Sequence, residues 1–140
     1  MIVMRFVDTN ILLYALSTAA DEQEKALKAL AILESEDLAL SSQVLQEFYV
    51  QATRPTKADH VTHEQATSLM EAYLRFPVQE TTVPIIRAAL AAKQRYVISY
   101  WDAAILEAAR ALSCTTLLTE DLDDGRNYDG VMVENPFRSL

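Results

Sequence analysis

The chain has 140 residues, 51% of them hydrophobic and 23% charged. That length and balance suit one soluble globular domain, residues 1–140, which needs no disulfide or metal staple to fold. A single cysteine, Cys114, excludes an internal disulfide and a multi-cysteine zinc site. The two glycines, Gly125 and Gly130, both fall near the C-terminus, which excludes a P-loop and a G-x-G-x-x-G dinucleotide fingerprint. The formal net charge of -8 repels phosphate at long range. A nucleic-acid substrate would therefore demand a bound cation or a local basic strip. No apolar run approaches the ~20 residues of a membrane span. Met1–Val7 carries Arg5 inside a short apolar run with no cleavage-like segment after it, so no signal peptide is expected. The expectation is a cytoplasmic protein with no membrane association.

Short apolar runs alternate with helical patterns. Ile2–Val7 predicts a first strand, ended by Asp8-Thr9-Asn10, and Ile11–Leu16 a short helix. Asp21 and Glu24 have capping-box spacing ahead of Ala26, Ala29, Leu30 and Leu33. Leu38–Leu40 predicts a strand, and Ser41 and Ser42 are N-cap types before a helix carrying Val44, Leu45, Phe48, Tyr49 and Ala52. Arg54-Pro55 ends that helix. Thr62 with Gln65 opens another, to about Phe76; Val78–Glu80 follows as a strand; Pro84 lies in the first turn of a helix to about Arg95. Ser99 with Asp102 opens the next, its apolar face made by Ile105, Ala108, Ala109 and Leu112. Thr115–Thr119 and Val131–Val133 predict the last strands, with a turn at Asp124-Gly125. Alternating strands and helices predict a parallel sheet covered on both faces, with ligands bound beyond the carboxyl ends of the strands.

Four acids fall where such a fold does its chemistry. Asp8 ends the first strand and Asp121 follows the Thr115–Thr119 strand. Glu47 lies at the margin of a buried helical stripe, one turn in from a helix start. Asp102 lies on the apolar face of its helix and in its first turn, where the helix dipole favours a carboxylate. Taken singly, Asp8 and Asp102 are also explained as helix caps, Glu47 and Asp121 as surface carboxylates. Converging, two carboxylates ~5 Å apart would repel by about 3 kcal/mol at an effective dielectric of 20. Some would then stay protonated, or a hard divalent cation would sit among them.

Asp8-Thr9-Asn10-Ile11-Leu12-Leu13-Tyr14, Ser42–Tyr49, Ser99-Tyr100-Trp101-Asp102-Ala103 and Leu118-Thr119-Glu120-Asp121-Leu122 resemble, in order and separation, the four blocks of a PIN domain. The likeness is strongest to the VapC-like toxins of bacterial toxin–antitoxin pairs and runs on to Val133–Phe137. The resemblance implies a three-layer α/β/α fold with a central parallel sheet, and a metal-dependent endoribonuclease using Mg2+ or Mn2+. It implies Asp8, Glu47, Asp102 and Asp121 as catalytic and metal-holding residues, supported by Asn10 and Thr119. Asp8 and Asp102 would hold the ion directly or through water, and Glu47 and Asp121 would complete the cage and orient the attacking water. An RNA substrate, a small antitoxin protein and a homodimer are implied as partners.

Other readings fit less well. A phospho-receiver domain carries adjacent acids after its first strand and a lysine after a late one; here Val7 precedes Asp8 and Glu120 follows Thr119. A haloacid-class phosphatase needs two aspartates one residue apart, and Asp8-Thr9-Asn10 breaks that pattern. A non-catalytic PIN-fold binding module is the remaining alternative. Arg54 and Lys57 are candidates for phosphate contact. Tyr14, Tyr49, Tyr100 and Trp101 are candidates for stacking on RNA bases but are expected mainly in the core, His60 and His63 outside the site, and Cys114 in packing.

Overall fold

The structure, a computed structural model, describes residues 3–140. Ile2 of the expected first strand lies outside the described residues. In chain order the elements are β1 (Arg5–Val7), α1 (Thr9–Leu16), a 3-10 turn (Ala20–Glu22), α2 (Gln23–Leu33), β2 (Leu38–Ser41), α3 (Ser42–Ala52), α4 (His63–Tyr73), β3 (Val78–Gln79), α5 (Val83–Tyr96), α6 (Tyr100–Ala111), β4 (Thr116–Leu118), β5 (Asn127–Tyr128) and β6 (Val131–Glu134). The strands form one sheet in the order β3-β2-β1-β4-β6-β5. Every pair is parallel except β5–β6.

This order follows from the connections. Crossovers between parallel strands are right-handed. The steps β1 to β2 and β2 to β3 move one way along the sheet, so α1–α4 cover one face. The step β3 to β4 returns past β1, so α5 and α6 cover the other. Accordingly α1 packs on α2 and α3, while α5 packs along α6. With both faces covered, the central strands need apolar residues at every position. Phe6, Val7, Leu38, Ala39, Leu40, Leu117 and Leu118 are all essentially inaccessible. β1 and β4 are neighbours whose connections leave in opposite directions, so a crevice opens beyond their carboxyl ends.

Helix ends follow local chemistry. Ser41, Thr62, Thr82 and Ser99 each accept a backbone N–H with the side-chain oxygen at the starts of α3, α4, α5 and α6. Thr62 and Gln65 close both halves of a capping box. The expected box at Asp21 and Glu24 is not made. Asp21 sits inside the 3-10 turn, and Glu22 is taken by the Ser17 hydroxyl at 2.6 Å. Helix α2 starts at Gln23 and buries Ala26, Ala29, Ile32 and Leu33, leaving Leu30 exposed. β5 is a strand that the sequence pattern does not predict. Asp129 (φ 52°) and Gly130 (φ 101°) form a two-residue turn of primed type, which pairs Tyr128 with Val131. Arg110 fastens this hairpin to α6 through the carbonyls of Tyr128 (2.7 Å) and Asp129 (2.8 Å). At the other side of the sheet, Arg5 grips Asp37 through two bonds of 2.7 and 2.9 Å, tying the start of β1 to the loop before β2.

Candidate metal centre

Asp8 is the first residue past β1 and is buried. Its backbone N–H donates to the Leu118 carbonyl, extending the β1–β4 ladder by one bond (3.0 Å). One carboxylate oxygen accepts from the Thr9 N–H at the start of α1 (2.7 Å). The other accepts from the Thr119 hydroxyl (2.8 Å). Thr119 also accepts from the Asp121 N–H (3.0 Å) and from the Asn10 amide (3.2 Å). Its one donor and both lone pairs are thereby used, and its χ1 is fixed across the crevice. Asn10 makes a second bond to the Asp121 carboxylate (3.2 Å). Its carbonyl oxygen is buried and has no partner.

Glu47 approaches from α3, one turn inside a helix capped by Ser41. Its two oxygens accept from the Thr9 hydroxyl (2.9 Å) and from the Gln43 amide (2.8 Å). Asp102 lies in the first turn of α6, where the Ser99 hydroxyl accepts its N–H at 3.1 Å. Burial raises its pKa, the Ser99 hydroxyl opposes the rise, and Asp121 and Glu47 add to it.

The electrostatics bind these groups together. Burial pushes Asp8 up to about 7 against the pull of Thr119 and Thr9, and the charges of Asp121 and Glu47 push it further. Asp8 and Asp102 therefore both feel Asp121 and Glu47. Among the described residues no salt bridge reaches any of the four acids. The three acids that neighbour Asp121 in sequence do have cationic partners. Glu120 turns away from the crevice to Tyr14 (2.6 Å) and Lys25 (3.4 Å). Asp123 faces Arg126 at 3.8 Å, and Asp124 pairs with Arg138 at 2.6 Å while accepting the Asn135 N–H. The six residues singled out from sequence thus lie around one crevice, and the three neighbouring acids do not. The four acids keep apart from one another. Among the described residues, no three acidic, histidine or cysteine side chains stand close enough to enclose an ion in their present rotamers.

The sequence pattern assigned no role to Thr9 or Gln43. Both carried a local signal: Thr9 is next to Asp8 and Gln43 is one turn before Glu47 on the same helix face. Trp101 corrects the expectation of a core aromatic. It is 65% exposed, because Asp102 and Ala103, not Trp101, face inward at the start of α6. Lys57 is drawn to Asp59 (3.9 Å), His60 to the Lys57 carbonyl (2.8 Å) and His63 to Tyr49 (2.8 Å). Cys114 is buried, which pushes its thiol up to about 11 and leaves it inert at neutral pH.

Comparison with known proteins agrees with this architecture. No curated protein sequence matches the chain. Among solved structures, a toxin–antitoxin complex from Klebsiella pneumoniae is 24% identical over 95% of this chain and 98% of that one, with a TM-score of 0.70. Mycobacterium tuberculosis VapC20, described as a sarcin-ricin-loop-cleaving toxin, is 19% identical over 84% and 91%, with a TM-score of 0.64. VapBC2 from Rickettsia felis, bound to a DNA fragment of its promoter, is 21% identical over 95% and 98%, also at 0.64. At these identities the likeness establishes the fold. The family model of the PIN domain matches residues 5–129, and the chain belongs to that family.

Proposed function

We propose that the protein is a metal-dependent endoribonuclease, the toxin of a toxin–antitoxin pair. One observation carries the reading: four acids face one crevice beyond the ends of β1 and β4, near enough for Asp121 and Glu47 to raise Asp8 and Asp102, with no cationic partner among the described residues, and the most buried of them, Asp8, is pushed up to about 7. The donor set fits a hard divalent cation. It offers carboxylate oxygens, no sulfur and no imidazole, together with the orphaned amide oxygen of Asn10. Asp8 and Asp102 are the residues we assign to hold Mg2+ or Mn2+, with Glu47 and Asp121 completing the cage. Such an ion supplies positive charge to the scissile phosphate and lowers the pKa of a water beside it.

The remaining steps belong to the chain itself. Thr9 and Gln43 hold both oxygens of Glu47, so its carboxylate has a fixed direction from which to orient an attacking water and take its proton. Thr119 holds Asp8 and Asn10 holds Asp121, so the carboxylates that would have to turn to enclose an ion start from defined positions. To hold a cation Asp8 would have to be deprotonated, and with its pKa raised to about 7 this would link metal affinity to pH. RNA is the substrate in this reading, just as the M. tuberculosis relative is described as cleaving the sarcin-ricin loop. A small antitoxin partner and a homodimeric toxin belong to the same reading. An antitoxin arginine would satisfy the same unpaired charges as the metal.

That the acids do not enclose an ion as they stand favours one alternative, a PIN fold that binds without cutting. Cleavage of total RNA in Mn2+, wild type against Asp8→Asn, separates the two. We expect discrete fragments from the wild type and at least about a hundredfold loss in a folded Asp8→Asn variant. Equal cleavage by both proteins would remove the assignment.

A further inference from the structure

Next to the acidic crevice lies a second cleft of different chemistry, of about 210 Å³, between the first turns of α3 and α6 and the segment after β3. Its floor is apolar, made by Ile85, Ala104 and Ala108. Its walls carry the amides of Gln43, Gln46 and Gln79, and its rim carries Tyr100 and Trp101. No lysine or arginine lines it, and Glu80 is its one acid. Trp101 is 65% exposed and stands edge-to-face on Tyr100 with ring centroids 5.1 Å apart. The two clefts share a wall. The Gln43 amide donates to Glu47 on one side and to the Trp101 carbonyl on the other, at 2.8 and 3.4 Å. Trp101 and Asp102 are consecutive residues, so an occupant of the second cleft lies one side chain from the acids.

We infer that this cleft seats one unpaired nucleobase of the RNA strand, next to the phosphate presented to the acids; the inference rests on the ribonuclease reading above. The chemistry selects for a flat, uncharged, hydrogen-bonding ligand. A phosphate would find no cation here, and a cationic side chain would find its partners in the neighbouring crevice. A base would find a stacking face on Trp101 and an apolar floor. Gln46 has no side-chain hydrogen-bond partner among the described residues, and Gln79 uses only its NH2, towards the Glu80 carbonyl at 2.9 Å. Each therefore still has groups free to meet a base edge. In an acidic protein, such a contact also supplies affinity that owes nothing to charge attraction.

The chain has a single tryptophan, so its emission reports this cleft alone. The test titrates wild-type protein in EDTA with a short single-stranded oligoribonucleotide and with the same strand carrying abasic riboses. The intact strand should quench Trp101 with an apparent affinity about tenfold above that of the abasic strand. Gln46→Ala with Gln79→Ala should erase most of that difference. In Mn2+, Trp101→Ala should raise KM for RNA about tenfold with little change in kcat, and Trp101→Phe should restore it. Equal quenching by both strands, quenching by neither, or quenching only by an antitoxin peptide would overturn the seat. So would a Trp101→Ala enzyme with wild-type KM. Failure of the ribonuclease reading shows separately, as wild-type protein that cuts nothing while the fluorescence comparison still decides the seat.

Discussion

Asp8 is buried at an electrostatic cost that the hydrogen bonds from Thr119 and Thr9 offset only in part. Burial pushes its pKa from 3.8 up to about 7. The unfolded chain ionises Asp8 near 4, while the native protein holds the proton until about 7. Between these values the native state binds more protons, so its stability falls as pH rises. In chelator-treated protein, the melting temperature should therefore decline from about pH 4 to about pH 7 and then level off. Asp8→Asn should flatten that decline, because the amide has no charge to bury. An unchanged slope in Asp8→Asn, by calorimetry across the same pH range, would place the titration elsewhere. At this scale the sequence was informative about which acids matter and silent about how they are held. Spacing on strands and helices drew out Asp8, Glu47, Asp102 and Asp121. The ties through Thr9 and Gln43 depend on how α1 packs on α3, which periodicity does not encode.

At the scale of elements, the positions of most helices and strands were legible because cap residues and breakers mark them. Ser41, Thr62, Thr82 and Ser99 sit where the helices begin. Three places escape the pattern for physical reasons. The Asp21 box is not made because Asp21 is taken into the 3-10 turn ahead of α2. The β5 half of the β5–β6 hairpin is announced only by Asp129-Gly130, because at two residues it is too short for alternation to show. Val97 is a third case. It closes α5 in the left-handed region at φ 55°, its N–H bonded to the Lys93 carbonyl, and its side chain is 88% exposed. A β-branched residue is strained there, and glycine is the usual occupant. Val97→Gly should raise stability by about 1 kcal/mol in urea unfolding, since no packing is lost. A destabilised variant would mean that the strain is already relieved elsewhere.

Over the whole molecule, two things set the function: topology and charge. Topology brings the carboxyl ends of β1 and β4 together at the point where the connections diverge, and three helix starts face that point. No single stretch of sequence states this; it comes from right-handed crossovers and a two-faced sheet. Charge runs against the proposed substrate. With a net of -8, long-range repulsion opposes RNA, and salt should relieve it. Raising ionic strength from about 0.01 to about 0.15 M shortens the Debye length from about 30 to about 8 Å. At fixed Mn2+, KM for RNA should fall over that range. A KM that climbs steeply with salt would instead indicate counterion release at a lysine and arginine track, and repulsion would not be the governing term.

Asp8, Glu47, Asp102 and Asp121, which meet no cationic side chain among the described residues, are proposed to form a cation site. Mn2+ titration by calorimetry at about pH 7.5, wild type against Asp8→Asn combined with Asp102→Asn, tests it most directly. Saturable binding with proton release is expected in the wild type, and at least about tenfold weaker binding in the double variant. A folded wild type that takes up no Mn2+ at millimolar concentration, or a double variant that binds as tightly, would contradict it.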